Sequence, residues 1–227
     1  MWSVLDHPIF TASIALIREE LAVCSARDPA LAARLQALSP LERDVLERCI
    51  HSSGDPSLVD VLHFGPAEAA CRRGQDALAV GAPILCDTAM AAAAVAPMAR
   101  RTSGNPVVCL LDWAPECAPA GSTRSAAAVD PAWAALTAAL DLEPAPVVLI
   151  GSAPTALERL LDLVAAGAPA PALLIGMPVG FVGVADSKRR LAGSGLAQIR
   201  LDGARGGAGL VAAACNALLR AGADSQG

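Results

Sequence analysis

The chain has 227 residues, of which 54% are hydrophobic, and its formal net charge is −5. This length suits a single α/β domain spanning residues 1–227, and the apolar content is enough for a large core. Aromatic residues make up only 3% and Tyr is absent. A surface that stacks nucleic-acid bases is therefore excluded, and the negative charge also argues against a nucleic-acid partner.

The cysteines and the apolar runs argue against a metal site, a disulfide framework and a membrane span. The seven cysteines are odd in number and widely spaced, without a Cys-x-x-Cys pair, which is typical of buried reduced thiols. No apolar run approaches the length of about 18 residues that a membrane-spanning helix requires. The first twenty residues carry Asp6, Arg18, Glu19 and Glu20, unlike a signal peptide, so we expect a cytoplasmic protein.

The N-terminal part of the chain reads as helical. Between residues 8 and 50, apolar residues recur at helical spacing, and Ser13 falls on the same face. The stretch 39–42, Ser-Pro-Leu-Glu, has a capping hydroxyl, a proline and an acid in the order that helix starts favour. This helix is predicted to run to about Cys49, so that His51 falls just past its end.

From residue 56 onward, short apolar runs alternate with helical segments. The apolar runs are Ile84–Cys86, Val107–Leu111, Val147–Ile150, Leu173–Ile175 and Gln198–Leu201. The helical segments lie near residues 66–80, 88–100, 123–140, 154–166, 184–192 and 207–220. Most runs are continuous rather than alternating, as in strands buried on both faces. The order predicts a doubly wound, mainly parallel α/β sheet of about five strands, preceded by N-terminal helices.

Ligands of such sheets bind beyond the carboxyl ends of the strands, where three glycine-rich loops are predicted. The loops lie in VVLIGSAPTAL (147–157), IGMPVGFVGVADSK (175–188) and GARGGAGL (203–210). Their free backbone N–H groups attract anions, although an ordinary capped turn is the alternative for the first loop. None contains a nucleotide fingerprint such as G-x-G-x-x-G. We therefore expect an anionic ligand whose negative groups are widely spread.

Among the three histidines, His51 in IHSSGDP is the candidate for proton transfer near neutral pH. The alternative is a capping role, because the C-terminal end of a helix favours a cation. The residues alone leave both interpretations open. His63 lies in an apolar run and is interpreted as a packed residue, and His7 is a weak candidate.

The motif GSTRSAAA, at residues 121–128, places a cation at a helix start. Its Ser-Thr pair is suited to cap the helix, and Arg124 then lies in the first turn. Because the helix dipole disfavours a cation there, Arg124 is predicted to hold a carboxylate or phosphate of the ligand. An ion pair with Asp130 or Asp112 is the alternative.

Taken together, these segments resemble the precorrin-8X methylmutase family of cobalamin biosynthesis, which includes the cobalt-precorrin-8 enzymes. The segments that carry the resemblance are SIALIREE, RCIHSSGD, APILCDTAM, GNPVVCLLD, GSTRSAAA, VLIGSAPTAL, IGMPVGFVGVADSK and GARGGAGLVAAACNALL. They occur in the family's order and span nearly the whole chain. The combination of GMPVGFVG, a following acid-Ser-Lys and TRSAAA is highly specific.

The resemblance implies a flavodoxin-like fold, a homodimer with shared active sites, and an isomerisation that needs no cofactor or metal. In the family, a methyl group moves between adjacent ring-C carbons of precorrin-8X to give hydrogenobyrinic acid, or of cobalt-precorrin-8 to give cobyrinic acid. The substrate is a tetrapyrrole with many carboxylates, which agrees with the widely spread anion expected from the loops.

The resemblance also implies roles for individual residues. His51 matches the catalytic histidine, which protonates or hydrogen-bonds the conjugated ring system during the migration. Ser13 and Arg124 match positions that contact the substrate, Arg124 through a carboxylate. Four further residues in the matching loops are predicted to contact the substrate: Thr123, Gly180, Lys188 and Arg205.

The last loop departs from the family pattern, with Ala204 and Ala208 where Arg and Ser are frequent. Arg205 is expected to take over part of the carboxylate binding that an arginine at position 204 would provide. Two other functions stay open: a protein that holds corrinoid intermediates without turnover, and a flavodoxin-like protein that uses a nucleotide or a flavin. The missing phosphate fingerprints and the few aromatic residues argue against the second of these.

Overall fold

The computed structural model describes residues 7–65, 69–138 and 144–224. The α-helices in these ranges are α1 (Pro8–Ser25), α2 (Pro29–Ala37), α3 (Pro40–Ser53), α4 (Ala69–Ala79), α5 (Ala89–Arg101), α6 (Arg124–Thr137), α7 (Pro154–Ala165), α8 (Val184–Ala192) and α9 (Ala208–Asp224). The strands are β1 (Leu62–Gly65), β2 (Ile84–Cys86), β3 (Val107–Cys109), β4 (Val147–Ile150), β5 (Leu173–Gly176) and β6 (Gln198–Leu201). Short 3₁₀ helices span Pro56–Asp60 and Leu110–Trp113. Of the helices described, none is both long and apolar enough to cross a membrane.

The strands form one mixed sheet in the order β1-β6-β5-β4-β2-β3. Strands β2 to β6 run parallel to one another, whereas β1 pairs with β6 in the antiparallel direction. The predicted mainly parallel α/β sheet is confirmed, but the predicted count of about five strands is wrong because β1 adds a sixth. The sequence pattern missed β1 because it is a short edge strand in which only Leu62 is fully buried.

Successive strand residues face two separate cores. On one face, Cys86, Leu149 and Ile175 pack with residues of α3, α4, α5 and α9. On the other face, Leu85 and Val148 pack with residues of α6, α7 and α8. Burial on both faces explains why these strands read as continuous apolar runs. Helices on both faces also make the sheet doubly wound, as predicted.

The N-terminal helical region consists of three helices, and α3 begins at the predicted cap. Ser39 Oγ accepts the Glu42 N–H at 3.3 Å, and Glu42 Oε2 accepts the Ser39 N–H at 2.8 Å, which completes a capping box. The helix runs further than predicted, to Ser53, where Gly54 takes the left-handed conformation with φ 68°. His51 therefore lies inside the last turn of α3 rather than just past its end.

Helix α9 brings this last turn of α3 to the edge where the parallel strands end. Helix α9 begins after β6 and packs against α3 along the first core. A Cβ atom added to Gly209 would lie 3.9 Å from Ser52 Oγ, so the start of α9 and the end of α3 are adjacent. The turn that carries His51 consequently lies beside the strand-to-helix loops, where ligands of such sheets bind.

Candidate active site

His51 has an exposed imidazole that two residues of α1 hold in place. Ser13 Oγ lies 2.7 Å from His51 Nδ1. The Phe10 ring meets the imidazole edge to face, with 5.1 Å between the ring centroids and an interplanar angle of 89°. The guanidinium of Arg48 in turn lies over Phe10, with its Cζ 4.4 Å from the ring centroid. These contacts fix the ring orientation although the side chain is exposed.

The Ser13–His51 contact suits a group that gains and loses a proton. A hydroxyl both donates and accepts hydrogen bonds, so Ser13 can pair with Nδ1 in the neutral and in the charged imidazole. His51 Nε2 has no hydrogen-bond partner within the described ranges, which leaves this nitrogen available to an incoming molecule. This arrangement is chemically suited to proton transfer at the sheet edge.

Arg205 links the loop after β6 to the chain that follows α3. Its Nη1 donates to Asp55 Oδ2 and to Ser57 Oγ, both at 2.7 Å. The Ser57 hydroxyl and the Arg205 guanidinium hold the pKa of Asp55 below its usual range. The structure thus brings Arg205 close to the turn that carries His51, with its guanidinium paired to protein groups.

Lys188 is the single lysine of the chain, and the structure places it behind this loop rather than on its open side. Its side chain is buried, with 1% of the residue exposed. Nζ donates to Gly203 O at 2.8 Å and to Arg205 O at 2.6 Å. Burial lowers the pKa of Lys188 to about 8, with Asp202 opposing that change. The ammonium therefore shapes the loop that carries Arg205.

This burial predicts a pH-dependent contribution of Lys188 to stability. Between about pH 8 and pH 10, the unfolded chain binds more protons at this amine than the folded chain does. The free energy of unfolding of the parent should therefore rise with pH relative to that of Lys188→Met. Urea unfolding of both proteins at several pH values measures the difference, in which all other titrating groups cancel. A difference that stays constant over this range would contradict the burial of a charged lysine.

The three predicted glycine-rich loops converge at one edge, as their backbone contacts confirm. Val179 N donates to Gly151 O at 3.1 Å, and Gly180 N donates to Ala204 O at 3.1 Å. Gly206 lies so close to the second loop that an added Cβ would come within 2.0 Å of Met177 O. The close approach requires glycine at this position. The amide of Gly180, a predicted substrate contact, is already paired within the protein.

The middle loop also exposes apolar side chains that the sequence did not single out. Phe181 is 96% exposed and Val182 is 89% exposed, with Val179 half-exposed beside them. Gly183 follows in the left-handed conformation, with φ 71°, and begins α8. These three neighbouring side chains give the loop an exposed apolar surface.

Thr123 and Arg124 lie at the start of α6, on the other face of the sheet. Thr123 Oγ1 caps the helix by accepting the Ala126 N–H at 3.1 Å, as predicted. Arg124 is exposed, and its Nε donates to Pro115 O at 2.8 Å. The alternative ion pair with Asp130 is absent from the described contacts, where Asp130 pairs with a different arginine. The Nη groups of Arg124 make no hydrogen bond to a described residue and are available to an anion.

Asp87 occupies the position at which a ligand anion was expected, and the sequence reasoning missed this. Its Oδ2 accepts the Ser152 N–H at 2.6 Å and the Ala153 N–H at 3.0 Å, at the start of α7. This point lies between β2 and β4, where the strand order reverses. Asp87 is buried, and burial raises the pKa of its carboxyl. The alanine at position 153 was the available sequence signal, because a helix start without its own capping side chain needs an acceptor from elsewhere in the chain.

Within the described ranges, no three His, Cys, Asp or Glu side chains lie close enough together to hold a metal ion. The cysteines are free, and four of them are buried: Cys49, Cys71, Cys86 and Cys215. The candidate groups are therefore the oriented imidazole of His51, the exposed guanidinium of Arg124 and the interlocked loops.

Comparison with known proteins decides the family. The family model described as Precorrin-8X methylmutase matches residues 8–221. This chain belongs to the precorrin-8X methylmutase family. A Precorrin-8X methylmutase of Pseudomonas aeruginosa is 46% identical over 176 residues, which cover 75% of this chain and 80% of that protein. One from Sinorhizobium is 40% identical over 221 residues, with 95% of each chain covered.

Two further relatives are a methylmutase named for a cobalt-containing substrate and a methylmutase of known structure. A Cobalt-precorrin-8 methylmutase of Synechocystis is 33% identical over 227 residues, with 95% of each protein covered. The crystal structure of a precorrin-8X methyl mutase from Thermus thermophilus matches with a TM-score of 0.79 at 36% identity. That match covers 96% of this chain and 99% of the other, so the likeness in fold extends over nearly the whole chain.

The other two histidines of this methylmutase-family chain lie outside the site. His63 is half-buried in β1, with its Nε2 3.0 Å from Asp202 Oδ2 and its Nδ1 3.3 Å from Arg34 Nη2. Burial lowers the pKa of His63, which favours its neutral form. His7 caps α1 by accepting the Ile9 N–H at 3.2 Å. The sequence interpreted His63 as a packed residue, and the structure shows it half-buried; the capping role of His7 was not predicted.

Proposed function

We propose that this protein is an isomerase of cobalamin biosynthesis that moves a methyl group between adjacent ring-C carbons of precorrin-8X. The product is hydrogenobyrinic acid, or cobyrinic acid when the substrate is cobalt-precorrin-8. The observation that carries the proposal is the exposed His51, which Ser13 holds at the loop edge of a methylmutase-family fold. We also predict that the chain forms a single α/β domain and that the protein is cytoplasmic.

His51 acts on the conjugated ring system from Nε2. Methyl migration around ring C is formally a 1,5-sigmatropic shift, and a proton or hydrogen bond given to the conjugated system polarises it in the transition state. The reaction is an isomerisation, so His51 recovers its proton when the new double-bond pattern forms. Ser13 stays paired with Nδ1 throughout, because its hydroxyl serves both protonation states.

The carboxylates of the tetrapyrrole need local cations, since the chain as a whole is negative. The exposed Arg124 supplies a guanidinium whose Nη groups can bind a carboxylate in two parallel hydrogen bonds. Thr123 supports this position by capping the helix. The exposed Phe181 and Val182 supply apolar surface for the face of the macrocycle.

Direct contacts of Gly180, Lys188 and Arg205 with the substrate stay predictions. The hydrogen bonds that these residues make within the protein support a second role, in ordering the loops. Gly180 and Arg205 join the loops to each other and to the end of α3. Lys188 orders the same loop from behind through two carbonyl oxygens. We infer that the three residues shape the substrate site, with the Arg205 guanidinium also within reach of a carboxylate. Ala204 contributes its backbone carbonyl to this network by accepting the Gly180 N–H.

We assign the parallel part of the sheet to the flavodoxin-like arrangement. Taken in chain order, the five parallel strands lie in the order 2-1-3-4-5, which supports this assignment. A nucleotide-binding role is disfavoured, because Asp87 already pairs with the amides at the start of α7 that a phosphate would use. A protein that only holds corrinoid intermediates is the remaining alternative.

A single-turnover experiment distinguishes the isomerase from a holding protein. Purified protein is mixed in excess with metal-free precorrin-8X and, separately, with cobalt-precorrin-8, and the absorption spectrum is followed. Migration changes the conjugation of the ring, so the isomerase should convert the spectrum of one substrate to that of its product. A spectrum that stays that of bound substrate in both cases would support the holding protein.

We also propose that the protein is a homodimer that associates through α1. Three of its residues recur every seven positions and are mostly exposed: Ile9 at 71%, Leu16 at 65% and Val23 at 56%. An apolar stripe of this kind on a surface helix is suited to pack against a second copy. Because α1 also carries Ser13, such an interface would place the two active sites beside it.

Sedimentation velocity tests this interface with one variant and one control. The parent should have twice the chain mass, and Leu16→Glu should have the mass of a monomer, because a charge in an apolar interface opposes association. Val80→Glu, at an exposed apolar residue beyond the end of α4, should remain dimeric. A monomeric parent, or a dimeric Leu16→Glu protein, would rule out the α1 interface.

A further inference from the structure

We propose that Asp87 is a positioning residue for the reaction, because its carboxylate fixes the two residues that precede α7 and thereby places Thr123 and Arg124. The inference rests on the proposed function, in which Arg124 binds a substrate carboxylate. Asp87 does not touch the substrate in this account. It acts through the helix that supports the α6 start.

The first link is the internal carboxylate at the start of α7. Helix α7 has no side-chain cap of its own, and Asp87 Oδ2 takes that place by accepting the Ser152 and Ala153 N–H groups at 2.6 and 3.0 Å. Asp87 is 1% exposed, and its Oδ1 has no hydrogen-bond partner within the described ranges. Burying a carboxylate with one unpaired oxygen costs stability, so stability alone does not account for an acid at this position.

The second link joins α7 to the predicted anion site. Thr155, in the first turn of α7, has its Oγ1 2.7 Å from Thr123 Oγ1. Thr123 also caps α6 through the same oxygen, directly before Arg124. A shift of the α7 start therefore changes the hydrogen bonding of the residue that sets the backbone direction at Arg124. Two contacts thus connect the Asp87 carboxylate to the residue before Arg124: the hydrogen bonds from Asp87 to the start of α7, and the contact of Thr155 with Thr123.

The same two helices are joined elsewhere by a contact that offers a matched control. Asp130 of α6 accepts a hydrogen bond from Arg159 Nε of α7 at 2.8 Å, and both side chains are substantially exposed. Asp130→Asn removes one negative charge, as Asp87→Asn does, and it weakens a hydrogen-bonded contact between α6 and α7. It does so further along both helices, away from Thr123 and Arg124.

The test compares Asp87→Asn, Thr155→Val and Asp130→Asn with the parent. It measures kcat and KM for precorrin-8X and the affinity for hydrogenobyrinic acid, at a temperature where circular dichroism shows each protein folded. Asp87→Asn and Thr155→Val should raise KM and weaken product binding about tenfold, the scale of one lost hydrogen bond, with kcat changed less. Asp130→Asn should match the parent in all three quantities.

A double-mutant cycle then asks whether Asp87 acts through Arg124. Arg124→Ala should raise KM by a smaller factor in the Asp87→Asn background than in the parent, because the guanidinium is already misplaced there. Equal factors in the two backgrounds would overturn the proposal. So would parent-like KM and product affinity in Thr155→Val, which decides the question alone if Asp87→Asn does not fold.

These results separate the inference from the function on which it rests. An active parent with unaffected Asp87→Asn and Thr155→Val variants refutes only the role of Asp87. A parent that binds hydrogenobyrinic acid but turns over neither precursor refutes the isomerase, and the product affinities of the variants then still decide whether Asp87 positions Arg124.

Discussion

Replacing His51 with alanine is expected to slow methyl migration by about 10²–10⁴-fold, the usual contribution of a general acid or base. The reason is that the other two histidines, His7 and His63, lie outside the loop edge, so neither can replace His51 in proton transfer. His51 is exposed, oriented by Ser13 at 2.7 Å, and has an unpaired Nε2. Single-turnover absorption spectra of the variant with precorrin-8X measure the rate.

The binding of product should survive this change, because the described contacts of the imidazole are with α1 and not with the loops, and the carboxylate-binding groups stay in place. Titration with hydrogenobyrinic acid checks that point. His63→Ala serves as the matched control, since His63 lies in β1 and pairs with Asp202 outside the site. Migration at the parent rate in His51→Ala, or an equal loss in both variants, would remove His51 from the mechanism.

Replacing Arg124 with alanine is expected to weaken substrate binding more than it slows the chemical step. Hydrogen bonds to a charged group contribute about 1.5–3 kcal/mol, which corresponds to about 10–150-fold in KM. The variant also loses the bond from Nε to Pro115 O. Arg124→Lys keeps the charge but not the paired N–H geometry, so its KM should lie between those of the parent and the alanine variant.

The control for the change in net charge is Arg189→Ala. Arg189 is an exposed cation of α8 that pairs with Asp186, three residues earlier on the same helix. Its loss lowers the net charge by one, as the loss of Arg124 does, and should leave KM at the parent value. If Arg124→Ala and Arg189→Ala raised KM equally, the effect of Arg124 would be one of overall charge and not of a specific contact.

Local sequence signals predicted the interior of this fold well. Continuous apolar runs mark strands that are buried on both faces, and β2, β4 and β6 begin and end at the predicted residues. The cap of α3 was predicted because Ser39 and Glu42 interact over only three residues. Strand β1 was missed because an edge strand with one buried residue has no such pattern.

Contacts between distant residues limited the prediction of the site. Ser13 and His51 are 38 positions apart, and only the family resemblance placed both in one site. Asp87 and Ser152 were both recognised at strand ends, but their pairing across 65 positions depends on the strand order. Lys188 was predicted to contact the substrate because it lies in a segment that resembles the family. Its burial behind Gly203 is a property of tertiary packing that its charge does not reveal.

In the proposed function, this sheet edge holds a polyacidic tetrapyrrole while one imidazole assists the movement of a methyl group within it. Precorrin-8X carrying ¹³C in the migrating methyl group tests it most directly, with NMR of the molecule recovered after one turnover. We expect to find the labelled methyl on the neighbouring ring-C carbon of hydrogenobyrinic acid. Recovery of the bound molecule with its label at the original carbon would contradict it.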